Sequence, residues 1–204
     1  LGFVIGPANN LDNVRGFNVI NNVLYVCNFG ANNGAGGACI RKFDATTFAN
    51  LGSEFPPSVE SCWDVIPFAG RVLVSDGGAI SGVPSADTGY IWGLNATTGV
   101  YEVAFASGTA ASNGLSLPKG MCLLANGNLL VANNSGSRAI LEYDAAGTRV
   151  ATYPLDPTFS ANGVFELDNG LIFICLQGTG VLGTNGIYLL DRSTGIVTPS
   201  LLGN

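Results

Sequence analysis

Four short runs of the chain share one pattern: isoleucine, two variable residues, an apolar residue, then Asp or Asn. They are Ile40-Arg41-Lys42-Phe43-Asp44, Ile91-Trp92-Gly93-Leu94-Asn95, Ile140-Leu141-Glu142-Tyr143-Asp144 and Ile187-Tyr188-Leu189-Leu190-Asp191. Their starts lie 51, 49 and 47 residues apart, and a small polar turn follows each, at 45–47, 96–99, 145–147 and 192–195. A repeat of this period is one supersecondary unit that cannot bury its own faces. It has to stack against further copies.

Each unit reads as four strands. Short apolar runs, rich in β-branched and aromatic residues, precede the motif: Val23-Leu24-Tyr25-Val26, Val72-Leu73-Val74, Leu129-Leu130-Val131 and Ile172-Phe173-Ile174. Tight-turn signals sit just before them: Asn21-Asn22, Ala69-Gly70, Asn126-Gly127 and Asp168-Asn169-Gly170. Inner strands are expected at 17–20, 63–66, 121–124 and 164–167, and outer strands at 48–51, 100–105, 149–153 and 196–201. Four antiparallel strands in about 48 residues make the blade of a β-propeller. The expectation is an all-β chain of four full blades, at 15–57, 58–108, 109–157 and 158–204. Residues 1–5 read as an outer strand of a further blade, free to pair with a neighbouring copy.

Composition narrows the function. Charged residues make up 11% of the 204, against roughly 25% in an ordinary globular chain. Gly (29) and Asn (20) fill much of the gap. Lys plus Arg is 8 and the net charge is -6, which argues against a nucleic-acid binder. No uninterrupted apolar stretch of about 18 residues is present to cross a membrane. There is no His. A His general base, a His-ligated zinc and a Ser-His-Asp triad are therefore excluded.

The third repeat carries a resemblance. Leu117-Pro118-Lys119-Gly120-Met121-Cys122-Leu123-Leu124-Ala125-Asn126-Gly127-Asn128-Leu129-Leu130-Val131-Ala132-Asn133 runs on to Arg138-Ala139-Ile140-Leu141-Glu142-Tyr143-Asp144. It resembles the blade of NHL-repeat and SMP-30/gluconolactonase-like propellers: Pro-x-Gly, an apolar strand, Asn-Gly, a strand ending in Val-Ala-Asn, then Asp. The other repeats keep the strand pattern and lack Pro-x-Gly. The resemblance implies a ring that usually closes with six blades. It also implies, for the lactonases of that class, a calcium ion held in the central channel by Glu, Asn and Asp of inner strands. The inner positions on offer here are Asn18, Asp64, Asn113 and Asn162, with Glu166 nearby; Asp64, Asn113 and Asn162 are the weak calcium candidates. A calcium site needs several oxygen ligands from different blades.

Other candidates come from loops and cysteines. Long Gly-rich loops at 28–38, 76–90 and 177–186 offer a binding face through Asn32, Asn33, Asp76, Ser81, Asp87, Gln177 and Asn185. No CxxC pair marks zinc among Cys27, Cys39, Cys62, Cys122 and Cys175. Cys27 and Cys39 flank one loop and are the disulfide candidate, and Cys175 reads as a buried hydrophobe in the same repeat position as Cys27. Asn95-Ala96-Thr97 and Asn133-Asn134-Ser135 are glycosylation sequons. Trp63, Trp92 and Tyr188 read as core aromatics.

The expectation from these features is a non-catalytic extracellular propeller. It would bind partners (other proteins, further copies of itself, or glycans) or assemble into a filament or surface layer. The alternatives are a calcium-dependent lactonase or hydrolase and a carbohydrate-binding propeller. No cofactor is required on the first reading; calcium is required on the lactonase one.

Overall fold

The computed structural model describes residues 9–32, 37–56, 59–78, 89–107, 114–136, 138–178 and 185–199. Residues 1–5, the expected extra strand, lie outside them. Sixteen strands form four sheets. The first is β1 (Val14–Ile20), β2 (Val23–Asn28), β3 (Cys39–Asp44) and β4 (Asn50–Glu54). The second is β5 (Cys62–Phe68), β6 (Arg71–Asp76), β7 (Tyr90–Asn95) and β8 (Tyr101–Ser107). The third is β9 (Pro118–Leu123), β10 (Leu129–Asn133), β11 (Ala139–Tyr143) and β12 (Arg149–Pro154). The fourth is β13 (Phe159–Glu166), β14 (Ile172–Gly178), β15 (Gly186–Asp191) and β16 (Ile196–Pro199). Each sheet is an antiparallel meander in chain order, and the four are the blades of a β-propeller.

Turn chemistry explains the repeat. Asn21 and Asn22 take positive φ (51° and 62°) between β1 and β2, as a hairpin closed by two left-handed residues requires. The Asp or Asn that ends each motif caps the next turn. Asp44 Oδ1 accepts the N–H groups of Thr46 and Thr47, Asn95 Oδ1 those of Thr97 and Thr98, Asp144 Oδ1 those of Ala146 and Thr148, and Asp191 Oδ1 that of Ser193. The Thr47 and Thr46 N–H groups hold the Asp44 carboxyl below the usual carboxylate range, and the Ser193 hydroxyl together with its N–H does the same for Asp191.

The core lies between blades. Ile40 and Cys27 pack on the second blade, Ile91 and Leu73 on the third, and Ile140 and Ala132 on the fourth. Ile40, Ile91 and Ile140 are fully buried, whereas the equivalent Ile187 is 42% exposed. Phe165 and Cys175 are exposed on that same face of the fourth blade. This corrects the reading of Cys175 as buried: Cys27 faces a neighbouring blade, and no described residue covers Cys175.

The cysteine expectation is corrected too. All five thiols are free. Cys27 is opposite Ile40 and Cys39 is opposite Asn28, so the two cysteines are offset by one register position. Their side chains leave opposite faces of the sheet and cannot bridge.

Candidate functional site at the inner-strand bulges

The innermost strands β1, β5, β9 and β13 pack side by side, in blade order, along the inner edge of the four blades. Each is irregular at one place. The pairing to the second strand slips between Val14 and Phe17, between Cys62 and Asp64, between Pro118 and Met121, and between Ala161 and Gly163. The extra residues are Arg15-Gly16, Trp63, Lys119-Gly120 and Asn162. A bulge re-aims the side chain it carries, and bulges concentrate beside active sites. Here four bulges at one level present Arg15, Trp63, Lys119 and Asn162.

Close backbone approach fixes this level. A Cβ on Gly16 would strike the Trp63 carbonyl, and one on Gly120 would lie 2.7 Å from Gly163 Cα. Glycine at both positions lets neighbouring inner strands touch.

The four side chains form a connected set. The Arg15 guanidinium carbon lies 3.7 Å from the centre of the Phe29 ring and 3.9 Å from that of Trp63. Arg15 also donates to Ser61 Oγ at 2.7 Å, and Trp63 Nε1 donates to the same oxygen at 3.1 Å. Lys119 Nζ lies 4.3 Å from the Trp63 ring centre and donates to Asn162 Oδ1 at 2.7 Å. Asn162 Nδ2 reaches Gln177 Oε1 at 3.2 Å. Among the described residues, neither Arg15 nor Lys119 has a carboxylate within ion-pair distance. Burial lowers the pKa of Lys119, and the nearby Arg15 charge lowers it further; burial also lowers that of Arg15.

The calcium candidates do not fit a divalent cation. Both Asp64 carboxylate oxygens are engaged, accepting the N–H groups of Val65 and Met121 at 2.9 and 2.8 Å. Burial raises the Asp64 carboxyl pKa, and those two hydrogen bonds oppose the rise. Asn162 Oδ1 holds the Lys119 ammonium and the Asn134 amide. Asn18 turns its Nδ2 to the Val65 carbonyl. Asn113 lies outside the described residues. A cation at Asn162 would meet the Lys119 ammonium, which already sits 2.7 Å from its Oδ1. No group of three or more His, Cys, Asp or Glu is placed to hold a metal ion among the described residues.

The loop candidates separate. Asp76 is fully buried; it accepts the Ser61 N–H at 2.7 Å and the Trp92 Nε1–H at 2.9 Å. It is a strand-end clasp, as are Asn28 and Asn133 in the first and third blades. Asn133 is fully buried and its Nδ2 donates to the Gly114 and Ser135 carbonyls, so it has no room for a glycan in the folded chain; this corrects that expectation. Asn95 keeps part of its surface, with its side chain tied into the turn and to Glu102. Asn32 is exposed, its N–H bound to Asp12 Oδ2. Asn185 Oδ1 accepts the Gly178 N–H at 3.0 Å. Of the described residues of this group, Gln177 joins the bulge set, through Asn162. Asn33, Ser81 and Asp87 lie outside the described residues.

Sequence reasoning missed Arg15 and Lys119 as site residues and placed Trp63 in the core. Trp92 and Tyr188 are core aromatics, each 3% exposed; Trp63 is half-buried on the inner strand β5. The available signal was Gly next to a polar or cationic residue at the start of an inner strand, in Arg15-Gly16, Lys119-Gly120 and Asn162-Gly163.

No protein-family model and no curated protein matches the chain. Solved structures do. A gluconolactonase from Xanthomonas campestris superposes with a TM-score of 0.60 at 16% identity, over 94% of this chain and 65% of its own. A streptogramin B lyase gives 0.62 at 16% identity, over 93% and 55%. A protein of unknown function from Bacteroides caccae gives 0.55 at 12% identity, over 90% and 58%. The chain spans about three-fifths of the length of these structures, and its fold is that of the gluconolactonase-like propellers. Two of these neighbours are described as enzymes, a gluconolactonase and a lyase. That finding overturns the expectation of a non-catalytic binding or self-assembling module.

Proposed function

We propose that the chain carries the active site of an enzyme that opens a cyclic ester at the inner-strand bulges. The observation that carries this reading is the pair Arg15 and Lys119, both against the Trp63 ring and neither ion-paired among the described residues. Ring opening of a lactone, by water or by elimination, puts negative charge on the ester oxygens and releases a carboxylate. Fixed cations in a partly water-excluded site stabilise that charge without reorganising. The gluconolactonase and the lyase with the same fold support the substrate class.

Lys119 is the group placed to polarise the ester carbonyl, with its ammonium held by Asn162 Oδ1. Trp63 holds both cations in place against its ring. Asn162 and Gln177 orient Lys119 from the fourth blade. The calcium dependence implied by the resemblance is not part of the proposal, because the Asp64 oxygens accept two backbone N–H groups and Asn162 Oδ1 holds the Lys119 ammonium.

The test is a panel of γ- and δ-lactones incubated with the protein while released acid is titrated at constant pH. Saturable acid release above the blank, lost in Lys119→Gln, supports the reading. Rates equal to the blank for every lactone overturn it.

A further inference from the structure

We propose that Arg15 is the anchor of a carboxylate subsite, so that the ligand of this site is a carboxylate-bearing one. The inference deepens the ring-opening reading by naming a feature of its substrate, and it stands on separate geometry.

The Arg15 guanidinium contacts two rings, with Phe29 and Trp63 at 3.7 and 3.9 Å from its central carbon. Stacking covers the faces of the group and leaves its edge, where the N–H donors lie. A guanidinium has five donors in a rigid fork. Only one contact from that fork is made among the described residues, from NH1 to Ser61 Oγ at 2.7 Å. Ser61 is itself buried and is held by the Trp63 indole N–H and, through its own N–H, by Asp76. The fork is therefore fixed in direction before any ligand arrives. Arg15 is half-buried and has no carboxylate at ion-pair distance among the described residues.

A half-buried cation that keeps its charge without a counter-ion is costly unless a ligand supplies one. The planar fork matches the two oxygens of a carboxylate in bidentate fashion. The second cation, Lys119, stands on the blade beyond Trp63, so a ligand whose carboxylate sits on Arg15 and whose ester reaches Lys119 spans the inner edge of the second blade. Arg15 is thus assigned to binding and Lys119 to charge stabilisation at the reacting carbonyl.

The test uses benzoate as the probe and tryptophan fluorescence as the readout, since Trp63 is the half-buried indole and Trp92 is buried. Inorganic phosphate is titrated in parallel. Saturable benzoate binding is expected in the wild type, weakened at least ten-fold in Arg15→Gln and recovered only in part by Arg15→Lys, which keeps charge but not the fork. Arg149→Gln, on an exposed outer strand, should bind as the wild type does. Benzoate binding that is absent in the wild type, or equal in the wild type and both folded Arg15 variants, overturns the proposal. So does tighter binding of phosphate than of benzoate. Lactone turnover is read separately: carboxylate binding without turnover refutes the ring-opening reading alone, and turnover without carboxylate binding refutes the subsite alone.

Discussion

Lys119 of the third blade reaches Asn162 of the fourth, Nζ to Oδ1 at 2.7 Å. The two residues are the bulged positions of neighbouring inner strands, and the same bulge on the second blade carries the Trp63 ring that Lys119 lies against. One irregularity, repeated blade after blade, therefore sets Arg15, Trp63, Lys119 and Asn162 in a row along the inner edge of the blades. An unbroken strand would leave those side chains alternating between blade faces.

Lys119 fixes a pH dependence. Burial and the Arg15 charge lower its pKa below the ordinary lysine value. The ammonium is present below that pKa and lost above it, so ring opening should fall as pH rises through a limb that lies under pH 10.5. Lys119→Arg should move the limb out of the accessible range. The measurement is kcat/KM against pH for the two proteins, corrected for hydroxide-driven opening.

Gly120 holds the strand spacing. A methyl group there would sit 2.7 Å from Gly163 Cα and 3.0 Å from the Asn162 carbonyl oxygen, both backbone atoms that cannot swing aside. Gly120→Ala should cost about 1–3 kcal/mol, as overpacking does. Gly163→Ala, whose added carbon would meet only Cys175 at 3.8 Å, should be close to neutral. Urea midpoints at equal m-value separate the two.

Glu142 joins the third and fourth blades. It accepts Asn128 Nδ2 at 2.7 Å, Tyr153 Oη at 2.6 Å and Arg192 NH2 at 2.6 Å. Burial pushes its carboxyl up, but these donors outweigh burial and hold it below the usual glutamate value. Its folded pKa is thus below its unfolded one. The stability it contributes is present above the unfolded pKa and is lost as pH falls through the folded one. Glu142→Gln should cost roughly 1–3 kcal/mol at pH 7 and flatten the acid limb of stability. Thermal unfolding across pH 3–7 reads this out.

The free thiols are ordered by exposure. Cys27, Cys39 and Cys62 are fully buried, Cys122 is half-buried and Cys175 is exposed. Burial also raises the Cys39 thiol to about 11. A thiol reagent should modify Cys175 first in the native protein and all five only after unfolding. Reductant should leave the melting temperature unchanged, and mass spectrometry of the alkylated chain checks the count.

Much of the fold was legible because blade faces are apolar and blade turns are not. Every second, third and fourth strand stands within a few residues of where its apolar run and its Asx turn put it. The inner strands start earlier than the pattern indicated, at Val14, Cys62, Pro118 and Phe159. A bulge follows within the first few residues of each, where the period of two breaks and Arg15, Lys119 and Asn162 give no apolar signal. The site hid in that break. Asp64 and Asn162 were legible as inner polar residues, but not their partners: that a backbone N–H and an ammonium would occupy the oxygens depends on neighbouring blades brought together over 40 residues of chain. The Cys27–Cys39 disulfide failed on parity, since one register step places the two thiols on opposite faces.

The most direct measurement is the ring-opening rate of wild type and Lys119→Gln on the same lactone, each with and without EDTA. A wild type that keeps its rate in chelator, and a variant reduced by about 10²–10³-fold, are the predicted results. A variant as fast as the wild type, or a wild type silenced by chelation, would contradict the account of a site that works through its own two cations.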